Sequence, residues 1–180
     1  MFHNEAVREL YLVLYERSAR KRGWLTLAWA VMRNHYHFLV SLTDGGLSDG
    51  MREVNSSYSR RLHAMYGETG QGHLVKHGFY AGRISDAEGI LGVAAYIDLN
   101  PVRAEICRRP AESRWTSYRA NVGLEHPRPF HQPNELLRLL NSSPSAARAA
   151  YRRHVLDRLG STSDEGDELA TTFGVVESAA

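Results

Sequence analysis

Apolar residues recur at Val7, Leu10, Tyr11 and Leu14, the spacing of one helical face. Asn4 can cap this helix, and Gly23 ends it at about Arg22. Two runs of β character follow, Leu25–Met32 and His35–Leu42, with Arg33-Asn34 between them. Asn tolerates the left-handed backbone of a two-residue turn, so the pair reads as a hairpin, closed by the loop Asp44-Gly45-Gly46. Met51, Val54, Tyr58, Leu62 and Met65 then mark a second helix over Ser48–Tyr66. After a glycine- and histidine-rich stretch from Gly67 to Gly78, a short strand over Phe79–Ile84 leads to a third helix. Ser85-Asp86-Ala87-Glu88 fits a capping box at its start, and Pro101 predicts a break just after Asn100. Shorter helical pieces are expected near Ser113–Asn121, Pro133–Leu140 and Ser145–Leu159, with a connector over Gly123–Gln132. The order α-β-β-α-β-α predicts an α+β layer, with helices over a small antiparallel sheet.

Composition bounds this picture more than it sharpens it. The chain has 180 residues, 43% of them hydrophobic and 23% charged, which suits a globular protein with a core. Trp24–Met32 is far too short to cross a bilayer, and no signal-peptide pattern opens the chain. The single cysteine, Cys107, excludes an internal disulfide and a cysteine-based zinc finger, so a reducing cytoplasm is the natural compartment. Charge is uneven: residues 1–160 hold 22 bases against 15 acids, net +7, whereas 161–180 hold five acids and no base. The body can hold a polyanion, and the last twenty residues read as a disordered acidic tail. Twenty of the 22 bases are Arg, a bias that suits phosphate contacts but that a GC-rich genome also produces.

Two constellations can carry chemistry. Alternation along the second hairpin strand puts His35, His37, Leu39 and Ser41 on one face, with Tyr36, Phe38, Val40 and Leu42 on the core side. The two imidazoles then stand about 7 Å apart by strand rise, which suits two ligands to one metal and equally suits two half-exposed structural histidines. At the end of the third helix, Tyr96 and Asn100 share a face with Gly92, where small residues permit close approach. A helical Tyr is also an ordinary packing residue, and an Asn before Pro is a good cap.

Taken together the two segments are specific. Val31-Met32-Arg33-Asn34-His35-Tyr36-His37-Phe38-Leu39-Val40 and Tyr96-Ile97-Asp98-Leu99-Asn100-Pro101-Val102-Arg103-Ala104 resemble the motifs of HUH single-tyrosine transposases, particularly the REP-associated branch. Gly72-His73-Leu74 with Phe79-Tyr80, and Trp115-Thr116-Ser117-Tyr118, are similar to further segments of that family. The resemblance implies a ferredoxin-like catalytic domain over residues 1–122 and a helical extension over 123–160, with the acidic tail beyond. It implies His35, His37 and Asn100 as ligands of a divalent metal, Mg²⁺ or Mn²⁺, and Tyr96 as nucleophile. The implied reaction is cleavage and rejoining of single-stranded, hairpin-forming DNA through a 5′-phosphotyrosine, by a monomer or a homodimer. Arg33, Arg60, Lys76, Tyr80, Arg83 and Arg103 are candidate DNA contacts, the bases for phosphate and the ring for stacking.

The chain departs from the family pattern at three places. Arg33 stands where Pro is usual, and Asp98 stands where His is frequent, which predicts a carboxylate near the metal. The strand expected before the first helix is absent, which predicts a truncated or displaced start and an open sheet edge. The alternative reading is therefore a non-catalytic single-stranded nucleic-acid-binding protein of the same fold.

Overall fold

The computed structural model describes residues 2–42, 46–67, 80–160 and 172–177. Helix α1 (Glu5–Lys21) starts where Asn4 Oδ1 accepts the Val7 amide at 3.0 Å. Strands β1 (Leu25–Val31) and β2 (Tyr36–Leu42) pair antiparallel. Helix α2 (Leu47–Tyr66) follows, then β3 (Tyr80–Ile84) and α3 (Ala87–Arg103), whose N-cap Asp86 accepts the Gly89 amide. A 3₁₀ turn at Pro110–Glu112 precedes α4 (Tyr118–Asn121), α5 (Pro133–Leu137), α6 (Pro144–Gly160) and β4 (Thr172–Glu177). The chain is α+β, as its pattern predicts.

Several local expectations change. Met32 N donates to His35 O at 2.9 Å, leaving Arg33-Asn34 between the strands, but neither residue takes the positive φ expected of such a turn. Met65 is 55% exposed: the last turn of α2 runs past the sheet, and the buried stripe ends at Leu62. Helix α3 continues through Pro101 to Arg103, since a proline in the final turn forfeits only one amide and the Ala104 amide still reaches Asn100 O. The loop at Asp44-Gly45 and the segment from Gly72 to Phe79 lie outside the described residues, as do 161–171 of the tail.

The largest correction concerns the C-terminal end. Thr172–Glu177, expected to be structureless, form a strand inside the sheet, whose order is β1-β2-β4-β3. Thr172, Val175 and Val176 are β-branched, which suits this placement. Strand β4 runs parallel to β2 on one side and to β3 on the other, so the sheet is antiparallel only at the β1–β2 hairpin. Strand β3 joins the sheet through β4. The sheet thus has four strands, one of them from the far end of the chain.

The free edge of β1 is covered by backbone. Val31 N donates to Trp115 O and Ser117 N to Trp29 O, both at 2.9 Å, and the Gln132 amide caps Thr26 O. These contacts protect the edge from pairing with another chain. Both faces of β1 are buried, which is why Trp24–Met32 reads as a largely apolar run. One face packs Tyr36, Phe38 and Val40 against α1 and α2 in an aromatic core with Phe2, Tyr11, Tyr15 and Tyr58. The other packs Ala28, Ala30 and Leu39 against α3, α5 and α6. The histidine face of β2, read from sequence as opposite the core, is therefore itself covered, by α3.

Candidate active site

Strand β2 and helix α3 bring the two sequence constellations together. His37 points from β2 toward α3 and is 1% exposed, and Asn100 is 7% exposed on the helix opposite. Asn100 Nδ2 donates to His37 Nε2 at 3.1 Å, and Asn100 Oδ1 lies 3.3 Å from His35 Nε2. The two imidazole rings stand 4.9 Å apart, edge to face. That is closer than a strict strand repeat gives, because His35 lies just outside β2, in the turn. Tyr96, one turn before Asn100 and half-buried, lies with its ring 5.7 Å from the His37 ring. The Arg103 guanidinium covers the Tyr96 ring at 5.0 Å.

The protonation states suit metal ligation. Burial, and secondarily His35, pushes His37 down to about 3, and burial also lowers His35 against a smaller opposing hydrogen bond from Asn100. Both rings are neutral at pH 7 and each offers one lone pair. His35 Nδ1 lies 2.8 Å from Asn34 Oδ1, and in the tautomer that donates there the neutral ring's single N–H is used. His35 Nε2 and Asn100 Oδ1 then face each other, lone pair to lone pair, at 3.3 Å. A cation between them resolves that repulsion, so the residues fit a divalent ion with mixed N/O ligation. An imidazole whose second nitrogen donates to a carbonyl is also the usual arrangement of a metal-bound histidine. Among the described residues no cluster of three His, Cys, Asp or Glu could hold a metal, and the two histidines have the Asn100 amide beside them.

Other sequence expectations fall elsewhere. Asp98 does not approach the histidines: it is fully buried on the opposite face of α3, held by Ser117, Asn121 and Tyr151. Burial pushes its carboxyl up to about 7, against the pull of the Ser117, Tyr151 and Asn121 hydrogen bonds. Position 98 is two residues from both 96 and 100, about 200° around the helix, so it cannot share their face. Arg60 lines a groove between α1 and α2 on the far side of the sheet and bonds Ser57, so it is not part of this site. Arg33 is exposed at the hairpin tip beside the site, and Arg83 is exposed on β3. Tyr80 starts β3 level with His37, through Thr172 of β4. Lys76 lies outside the described residues.

Sequence reasoning read Asn34 as a turn residue, although it also orients His35, and its position directly before the motif was the available signal. Arg158 was not singled out at all. It comes from α6 to within 3.9 Å of where a side chain at Gly92 would begin, beside the Tyr96 face. No spacing rule links a residue on α6 to that face.

Among the described residues no helix is long and apolar enough to cross a membrane. No curated protein and no solved structure matches the chain. A family model described as "Transposase IS200 like" matches residues 1–100, the segment from α1 through the histidine motif to Asn100. With the match covering more than half of the chain, including the histidine motif and Tyr96 to Asn100 of the second, the chain belongs to the IS200-like transposase family, whose partner is DNA.

Proposed function

We propose that this transposase cleaves and rejoins single-stranded DNA through a phosphotyrosine at Tyr96, acting at hairpin-forming or repeated elements as a REP-associated member of its family. The observation that carries the reading is the convergence of His35, His37 and Asn100 beside Tyr96, from two elements far apart in sequence.

His35, His37 and Asn100 would hold Mg²⁺ or Mn²⁺, which when bound polarises the scissile phosphate with its full charge, since all three ligands are neutral. The remaining chemistry belongs to the chain's own residues. The Tyr96 phenol gives up its proton to solvent as Oη attacks phosphorus in line. The bond from phosphorus to the 3′ oxygen breaks, and that oxygen takes a proton from solvent to become a free 3′-hydroxyl. The downstream fragment stays on Tyr96 through its 5′ phosphate, as a phosphodiester. A second 3′-hydroxyl attacks the same phosphorus, the phenol leaves, and the number of ester bonds is unchanged, so strand transfer needs no external energy source. Arg103, over the Tyr96 ring, keeps a positive charge beside the phosphate path. Arg33 and Arg83, exposed on the hairpin tip and on β3, can contact the DNA backbone.

The test is incubation with labelled single-stranded hairpin DNA and Mn²⁺ or Mg²⁺, beside Tyr96→Phe. A denaturation-resistant adduct in the parent protein and none in the variant supports the reading. Equal adducts in both would overturn Tyr96 as nucleophile, and DNA retention with no adduct in either would favour the non-catalytic binding protein.

A further inference from the structure

We infer that Asp98 is a positioning residue for Tyr96: it fixes the roll of helix α3 about its axis, and α6 takes part in that lock through Tyr151. The inference rests on the phosphotyrosine reading for what is being positioned. The lock itself is read from buried hydrogen bonds.

Three side chains donate to the Asp98 carboxylate. Ser117 Oγ donates to Oδ1 at 2.5 Å, while Tyr151 Oη and Asn121 Nδ2 donate to Oδ2 at 2.8 and 3.2 Å. All four residues are buried at 0% exposure. Ser117 Oγ in turn accepts the Trp29 amide of β1 at 3.0 Å, so the carboxylate is tied to the sheet as well as to α4 and α6. Asn121 Oδ1 is buried without a partner, so its amide is turned to serve Asp98 at its own cost.

Apolar packing does not define the roll of α3 as sharply. Its buried face mixes Ile90, Leu91, Ile97 and Leu99 with the short Ala94 and Ala95, and such contacts are non-directional, whereas hydrogen bonds of this length have narrow angular limits. Asp98 lies opposite the Tyr96 and Asn100 face. With a helix radius of about 5–6 Å including side chains, a 10° roll displaces that face by on the order of 1 Å. A displacement of that size at a reacting atom costs about 100-fold in rate. Stability alone does not call for the arrangement, because a buried charge network is often no more stabilising than apolar packing of equal volume.

Tyr151→Phe removes one donor and keeps the ring packing, and Asp98→Asn keeps the shape while placing an N–H group among donors. The full chain and both variants would be compared by thermal melting, by affinity for a single-stranded hairpin oligonucleotide, and by single-turnover adduct formation with Mn²⁺. The expected result is a folded Tyr151→Phe protein with DNA affinity within about twofold of the parent and an adduct rate at least about tenfold lower. Asp98→Asn, where it folds, should be slower still. Parent-like rates in a folded Tyr151→Phe protein would overturn the lock, and so would a rate loss no larger than the loss of DNA affinity. If the parent itself forms no adduct, the phosphotyrosine reading fails separately, and amide exchange in residues 96–103 decides the lock. Faster exchange there in Tyr151→Phe, with β1 and β2 unchanged, supports it, and identical exchange refutes it.

Discussion

The two faces of the sheet are built to different rules. The α1–α2 side is closed with rings: Tyr15 stacks on Phe38 at 3.8 Å, and Tyr11, Tyr36, Tyr58 and Phe2 meet edge to face or tilted around them. Its buried hydroxyls stay local, as where Tyr15 meets Thr26 at 2.9 Å and Tyr11 meets Asn55 at 3.1 Å. The α3 side buries His37, Asn100, Asp98, Ser117 and Asn121, and arranges them in two networks back to back across one helix. Apolar rings contribute stability with little directional demand. Buried polar groups contribute direction and cost desolvation. The first face holds the fold, and the second fixes the direction of buried polar side chains around α3.

That contrast breaks most visibly at the sheet. Ending the chain at Gly160 removes β4, leaving β3 without the strand that joins it to β2. Stability should fall by several kcal/mol, on the order of half of a typical domain's total, read by urea denaturation. Phe38→Ala should cost about 3–5 kcal/mol in the same measurement, with cleavage lost only in proportion to the unfolded fraction. His37→Ala, one residue away on the other face, should do the reverse. Adduct formation should drop by roughly 100-fold or more while the melting temperature moves by a few degrees. Equal stability losses in these two neighbours would erase the distinction between the faces.

The smallest effect is a pH dependence. His131 is buried with Nε2 donating to Leu27 O at 3.3 Å, and burial pushes its pKa down to about 4. An unfolded histidine titrates near 6.5, so the unfolded chain binds the proton first as pH falls. The contribution is fully present above about pH 6.5 and is lost as the pH falls to about 4. His131→Gln should flatten the melting temperature across that window, and an unchanged profile would count against a neutral buried His131.

Much of the scaffold was legible because it rests on local periodicity. The stripe Met51, Val54, Tyr58, Leu62 marks α2, alternation separates the faces of β2, and Asn4 caps α1, whereas α3 is capped by Asp86 rather than by Ser85 of the expected capping box. What escaped depends on tertiary placement. Thr172–Glu177 is a short β-branched segment whose partners lie on β2 and β3, and nothing local announces them. Arg60 has the charge for DNA, but charge does not say on which side of a sheet a helix packs. Asp98 sits two residues from both functional side chains, yet its partners are 19, 23 and 53 residues away. Of the candidate site, the motif residues are readable, and the 3.3 Å approach of His35 Nε2 to Asn100 Oδ1 is not.

The central claim is that one tyrosine of the nine in this chain takes the DNA. Its most direct test is mass spectrometry of the protein digested after reaction with a short single-stranded hairpin substrate and Mn²⁺. The account predicts a nucleotide-bearing peptide that spans Tyr96, linked through phosphate. Nucleotide on any other tyrosine, or DNA cleaved with no tyrosine modified, would contradict it.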